Sequence, residues 1–450
     1  LAVLRFAIIL SLALVPAIVS AEEHDPWMGK SVVLKPNAVL TKHDKPIDPR
    51  FQGFPTTVLD ADQDRVWLGR AWAKKADAMD LDEALAFCDE RLKANRKDAV
   101  SWHLRGVAWF SKGELFKAAY SLDEAIRLNP TFSQALADRG LALGARQDYD
   151  AANRDFEAAI RLDSTNPMPH LYRGFFRKAK KQFKEAAEDF DRCIELDPEC
   201  TAAFKLRGDL AWISGDFESA ISAYNDAIRH NPKSATSLGN RAFCWLKLQD
   251  PDQALRDIDK AIQINPKAPG AHCLRSACWL VKGDCDKALE DMTKGIGLNP
   301  NNPFPYVLRA RMYRSVGKDR EAIGDYETLS RLDPKNPVFI TEIVWVLSNS
   351  EDSEVFDVSE AFALANKAWE MTDGKHLEAV GALAAAHAAD GDWENAIRLQ
   401  KEAIEMTPPQ WQMFQKESLQ KYENHQRGGP TKEQFKKTVE DMFFGQGPIF

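Results

Sequence analysis

Residues 173–206 read RGFFRKAKKQFKEAAEDFDRCIELDPECTAAFKL, and Arg207-Gly208 opens the same frame again 34 residues later. The frame holds through the middle of the chain. Arg stands at 105, 139, 173, 207, 241, 275 and 309. The next residue is always small: Gly106, Gly140, Gly174, Gly208, Ala242, Ser276 and Ala310. Thirteen positions after each Arg comes an alanine, at 118, 152, 186, 220, 254, 288 and 322. Four further on stand Leu122, Phe156, Phe190, Tyr224, Ile258, Met292 and Tyr326. Pro130, Pro198, Pro232, Pro266, Pro300 and Pro334 close six of the repeats, and Ser164 takes that place in the second. Seven repeats in register span 99–336, and a fixed period of this length is the signature of a repeat architecture.

Each unit holds two apolar stretches at helical spacing with a turn such as Ser111-Lys112-Gly113 between them, so each is a helix pair, A then B. The small column on helix A and the Ala column on helix B mark a close crossing, where native packing density tolerates nothing larger. The aromatic or aliphatic column fills the gap beside it. Pro lacks an N–H and stops helix B. One hairpin cannot bury its own apolar faces, but stacked hairpins can, which gives an α-solenoid. Acidic residues recur on helix B at Asp155, Asp189, Asp257, Asp291 and Asp325, with Asp123, Glu157, Asp191, Asp259 and Glu327 in a second column. Beside the Arg column they predict an ion-pair network that holds register between repeats. Gly295 and Gly297 lie within helix B of the sixth repeat and weaken its intrinsic helicity.

The period, the small column, the Ala column and the terminal Pro resemble the tetratricopeptide repeat family. The resemblance implies a right-handed superhelix of helix-turn-helix repeats whose concave face binds peptides or partner surfaces. In that family the concave face is lined by helix-A positions 2, 5, 9, 12 and 13. Only six such positions in repeats 1–7 are charged here: Lys178, Lys205, Asp209, Lys247, Arg311 and Arg314. The candidate peptide-binding groove is therefore Phe175, Trp212, Phe243, Leu246 and Leu280, with Arg311 and Arg314 at its C-terminal end to receive an acidic group. The carboxylate clamp of chaperone-binding relatives needs Lys and Asn in columns that here hold Val107, Leu141, His103 and Ala137, so that function is disfavoured.

Outside the seven repeats the pattern loosens. Residues 337–410 accommodate two divergent repeats, the first with a polar insertion at 349–354 and Ala361, Ala365 and Ala368 restoring the helix-B spacing. Residues 80–98 read as an unpaired capping helix, and 411–450 as C-terminal capping helices broken by Arg427-Gly428-Gly429-Pro430. Residues 27–79 hold short β-branched runs at Ser31–Leu34, Ala38–Leu40, Thr56–Asp60 and Arg65–Leu68. The run from Thr57 to Ala73, with its Trp, polar turn and Gly69-Arg70-Ala71-Trp72, resembles bacterial SH3-like barrels, although Ala71 stands where that family has Gly. The fold class is thus mostly α, a tetratricopeptide α-solenoid preceded by a small all-β SH3-like barrel.

The 450 residues carry 59 basic and 67 acidic side chains, and a net charge of −8 argues against nucleic acid as partner. Residues 1–21 combine Arg5, an apolar run from Phe6 to Val19 and Val19-Ser20-Ala21, the pattern of a cleaved secretory signal. That run is shorter than the ~20 residues of a membrane span. Export makes disulfides possible, but seven Cys with no CxxC form no framework. Cys273, Cys278 and Cys285 beside His272 lack the tight ligand pairs of a metal site. No HExxH, GxSxG, Walker A or GxGxxG motif stands in the chain, and no cofactor, metal or catalytic residue is assigned.

These observations lead to an exported, non-enzymatic scaffold, periplasmic or secreted, whose groove binds a peptide or protein partner in the cell envelope. Two other readings stay open. One is a cell-wall-associated accessory module that recruits an envelope enzyme. The other is a periplasmic chaperone-like holder of apolar segments.

Overall fold

The computed structural model describes residues 30–36, 38–42, 45–46, 56–58, 60–61, 64–68, 72–408 and 412–428. The expected signal peptide at 1–21 and final helix at 431–444 lie outside the described residues. The chain divides into two compact units, one ending at Lys267 and one beginning at Ala268.

The N-terminal unit opens with eight short strands: β1 (Ser31–Leu34), β2 (Thr41–Lys42), β3 (Lys45–Pro46), β4 (Thr56–Thr57), β5 (Asp60–Ala61), β6 (Arg65–Trp67), β7 (Trp72–Lys74) and β8 (Ala78–Asp80). They form two antiparallel sheets, ordered β4-β1-β8 and β3-β2-β7-β6-β5. The expected SH3-like barrel is therefore corrected: among the described residues the strands make two sheets and not a closed barrel. The reason lies in the period-2 alternation of β1 and β8. Val32 and Ala78 face a small β core with Leu40, Val58, Leu68 and Ala73. Val33 and Met79 face the other way and pack on Ala84, Leu85, Val107 and Ala108 of the first helices. The sheet takes the place of a missing helix A. β8 runs straight into helix α1 (Leu81–Ala94) through a capping box, in which Asp80 accepts from the Asp82 and Glu83 amides at 3.0 and 2.9 Å and Glu83 accepts from the Asp80 amide at 3.2 Å.

Five hairpins follow: α2 (Ala99–Ser111) with α3 (Leu115–Leu128), α4 (Ser133–Ala145) with α5 (Tyr149–Leu162), α6 (Met168–Ala179) with α7 (Phe183–Leu196), α8 (Thr201–Ile213) with α9 (Phe217–His230), and α10 (Ala235–Lys247) with α11 (Pro251–Ile264). The C-terminal unit holds four more: α12 (Pro269–Val281) with α13 (Cys285–Leu298), α14 (Pro303–Ser315) with α15 (Asp319–Leu332), α16 (Pro337–Asn349) with α17 (Val358–Met371), and α18 (Leu377–Asp390) with α19 (Trp393–Met406), then α20 (Met413–Glu423). Both divergent repeats thus form as hairpins, with Ala361, Ala365, Ala368, Ala384, Ala396 and Ala403 buried.

The columns do what their sizes dictate. All seven alanines of the helix-B column are buried. A Cβ added at Gly140, Gly174 or Gly208 would meet Phe156, Phe190 or Tyr224 at 2.6, 2.6 and 2.7 Å. Ser276, in the same column, donates its buried hydroxyl to the Ala288 carbonyl at 2.7 Å. Gly295, expected only to loosen its helix, has a packing reason: a Cβ there would lie 2.8 Å from Cys273 Sγ and 3.1 Å from the Pro269 carbonyl. Helix B ends at an Asx residue before the Pro. Asn129, Asp197, Asn231 and Asn265 each accept from the amide two residues on, at 3.1–3.2 Å, which turns the chain out of the helix.

The Arg column bridges helices in both directions. Arg139 makes a two-pronged contact with Asp155 of its own repeat (2.7 and 2.6 Å) and reaches Asp123 of the preceding helix B at 2.8 Å. Arg241 does the same with Asp257 and Asn225, and Arg309 with Asp325 and Thr293. Three of the buried carboxylates differ in how many donors they have. Asp325 is buried against one guanidinium, and burial outweighs Arg309, so its pKa is raised. Asp291 is buried too, but His272, Arg275 and Trp279 all surround it, and their hydrogen bonds and charge pull it down to about 2. Asp189, between His170, Arg173 and Arg177, is likewise lowered against the cost of its burial.

Candidate functional site

Two residues on neighbouring A helices face each other when they lie 31 apart, one period less three, since three positions along a helix return to the same face. Three such pairs meet in the N-terminal unit. Lys178 on α6 reaches Asp209 on α8 at 3.2 Å, Asn240 on α10 donates to Asp209 at 3.1 Å, and Trp212 packs edge-to-face on Phe243 with ring centroids 5.8 Å apart. Lys205, one turn before Asp209, adds a second ammonium at 3.2 Å. The Tyr224 hydroxyl donates to the other carboxylate oxygen at 2.8 Å from helix B below. One carboxylate therefore fixes side chains from three consecutive repeats on one face.

The apolar part of that face lies beside it. Phe175 is 45 % exposed and rests on the Phe176 ring edge at 5.3 Å. Trp212 and Phe243 are half-buried. The Lys247 ammonium stands 5.7 Å from the Phe243 ring centre, and burial lowers its pKa. The face thus offers Phe175, Trp212 and Phe243, with Lys178 and Lys205 sharing one carboxylate, Asp209, and Lys247 near the Phe243 ring.

Of the sequence-derived residues, Phe175, Trp212 and Phe243 stand on this face. Leu246 does not share their exposure: at 3 % it is core, which corrects its assignment to an accessible strip. In the C-terminal unit, Leu280 is half-buried against the core around Met292 and Met312. Arg314 is 6 % exposed, with Nε 3.9 Å from Asp319, and is a second correction: it serves the interior of its own unit. Burial and the Glu342 carboxylate raise the Tyr326 phenol, and Arg314 and Arg311 act on it in the opposite sense, so both guanidiniums are near that ring. Arg311 itself is half-buried. The reading from columns alone missed Asn240 and Tyr224. The 31-residue offset of 178, 209 and 240 was the signal that could have found Asn240.

Among the described residues no cluster of three His, Cys, Asp or Glu could hold a metal ion. Burial pushes the Cys273, Cys88 and Cys244 thiols up to about 12. No described helix is long and apolar enough to cross a membrane.

Comparison with curated proteins finds no match. Among solved structures, the chain is similar to the crystal structure of the APC/C hetero-tetramer Cut9–Hcn1, with 17 % identity and a TM-score of 0.46, covering 52 % of this chain and 46 % of that one. The chain thus spans less than half the length of that relative. It is also similar to a tetratricopeptide repeat protein from Parabacteroides merdae, with 19 % identity and a TM-score of 0.39, covering 65 % of this chain and 99 % of that one. A third likeness is to YrrB, described as a tetratricopeptide repeat protein with an unusual peptide-binding site, with 24 % identity, a TM-score of 0.33 and coverage of 41 % and 95 %. Residues 169–235, which span repeat 3 but for its first two residues and all of repeat 4, and bear Phe175, Lys178, Asp209 and Trp212, match the model of the tetratricopeptide repeat family.

Proposed function

We propose that the protein is a scaffold that binds a peptide or protein partner on the helix-A face of repeats 3–5. The observation that carries this reading is the half-buried Trp212–Phe243 pair on the face where Lys178 and Lys205 share the single carboxylate of Asp209. Aromatic anchors supply contact area at low entropic cost, and the excess of ammonium groups favours a partner with an acidic residue next to its apolar anchor. Tetratricopeptide repeats generally form protein-interaction scaffolds, and the match at 169–235 supports the same class here. The pattern of residues 1–21 supports placing this scaffold in the cell envelope after export.

A displayed random-peptide library selected on the full chain tests the reading. Enriched peptides should pair an aromatic or aliphatic anchor with Asp or Glu, and Trp212→Ala with Phe243→Ala should abolish the enrichment. Equal enrichment on the double variant would place recognition elsewhere.

A further inference from the structure

A cavity of about 410 Å³ lies between α5, α6 and α7, away from the Lys178–Asp209 face. Its wall carries four cations, Arg154, Arg173, Arg177 and Lys180, and three aromatic rings, Phe156 and the pair Tyr149 and Phe176, whose centroids are 6.0 Å apart. The acids present do not balance those cations. Asp189 holds both Arg173 (2.6 Å) and Arg177 (2.8 Å), so one carboxylate is shared by two guanidiniums. Lys180 has a long, exposed contact with Asp150 at 3.4 Å, the kind worth little, and its ammonium stands 5.6 Å from the Tyr149 ring centre. Arg154 is exposed with no ion pair among the described residues, and Glu185 is the other acid of the wall.

The local charge also departs from that of four other repeats. At the start of helix B, repeats 2, 4, 5 and 6 carry two acids each, at 148 and 150, 216 and 218, 250 and 252, 284 and 286. Repeat 3 has Gln182 and Lys184 there, preceded by Lys180 and Lys181. Repeat 7 is basic at the same place, with Lys318 and Arg320, but in repeat 3 the turn borders the cavity, whose wall includes Lys180 and Gln182.

We infer that this cavity is a second binding site, for a small organic phosphate monoester. Its volume lies in the range of small-molecule pockets, roughly 300–1,000 Å³. Guanidinium forks from Arg154 and Arg177 with the Lys180 ammonium suit a dianionic oxyanion, and the Tyr149 and Phe176 rings suit the organic group attached to it. The inference shares no residue with the helix-A face and stands or falls apart from it.

Titration calorimetry of the full chain with phenyl phosphate, inorganic phosphate and benzoate tests it. Phenyl phosphate should bind saturably and more tightly than inorganic phosphate, which lacks the ring, and more tightly than benzoate, which has one charge. Its affinity should fall as pH drops through about 6, where the second phosphate proton returns. Arg154→Ala with Lys180→Ala, both at exposed positions, should weaken it by about tenfold or more, and Trp212→Ala should leave it unchanged. Unchanged helical circular dichroism shows that the double variant keeps its fold. Equal binding of benzoate, an unaltered double variant, or no saturable heat at millimolar phenyl phosphate would each overturn the assignment.

Discussion

Repeats 3 and 4 share one frame but use their carboxylates differently. In repeat 3, Asp189 sits on helix B between Arg173, Arg177 and His170, and locks the repeat together from inside. In repeat 4 the corresponding position is Ala223, and the acid stands instead at Asp209 on helix A, where it gathers Lys178, Lys205 and Asn240 on the surface. The Arg of the column is left with less: Arg207 meets Asp191 of the preceding repeat at 3.2 Å, both half-exposed. Tyr224 replaces the Phe156 and Phe190 of the earlier repeats, and its hydroxyl becomes the buried donor that holds Asp209 in place. Moving one acid across a hairpin converts an internal tie into an organiser of the exposed face.

The largest expected effect breaks the tie itself. Arg173→Ala leaves Asp189 buried with a diminished set of partners and should cost roughly 3 kcal/mol, while Arg207→Ala, removing a half-exposed pair, should cost below about 1 kcal/mol; urea midpoints of the two variants measure both. Next comes the crossing that both repeats share. Gly208→Ala brings a Cβ to 2.7 Å from Tyr224, and Ala220→Leu overfills the same crossing. Each should lose roughly 1–3 kcal/mol in the same assay, and an unchanged midpoint would mean the helices are not that close.

Acid sharpens the contrast between well-donated and poorly donated carboxylates. Asp291 and Asp189 both have lowered folded pKa values, so the stability they contribute is complete above the ordinary carboxylate range and is lost below it, for Asp291 as pH falls toward about 2. Asp325 is shifted the other way, so its protonation at low pH relieves the fold. Asp291→Asn should therefore flatten the loss of stability between about pH 4 and 2, whereas Asp325→Asn should not. The smallest effect is at Gly239 in α10, where a Cβ would meet nothing within 4 Å. Gly239→Ala should stabilise by below about 1 kcal/mol, in contrast to Gly208→Ala.

The hairpins were legible in the sequence because each column has one physical job. A small residue opposite a large one, an Ala at the crossing and an Asx-Pro stop leave one solution at every repeat. The Arg–Asp network was legible for the same reason, since its partners lie at a fixed offset of 16. The N-terminal strands were legible where β-branched runs stand, at Ser31–Leu34 and Arg65–Trp67, but their assembly into two sheets was not, because the packing of Val33 and Met79 on the helices depends on a long-range contact. The binding surface was half legible. Trp212 and Phe243 declared themselves by column, but column membership cannot tell a side chain that ends in solvent from one that ends in the core, and Leu246 and Arg314 are the two that end in the core.

The central claim is that Asp189 ties the fold and Asp209 organises its surface. The same isosteric change at both positions tests it. Asn keeps an oxygen to accept from Tyr224 at position 209, and removes the charge that three cationic or polar partners share at position 189. Urea unfolding followed by circular dichroism should show Asp189→Asn losing roughly 3 kcal/mol or more and Asp209→Asn less than about 1 kcal/mol. Equal losses at the two positions, or the larger loss at Asp209, would contradict the account.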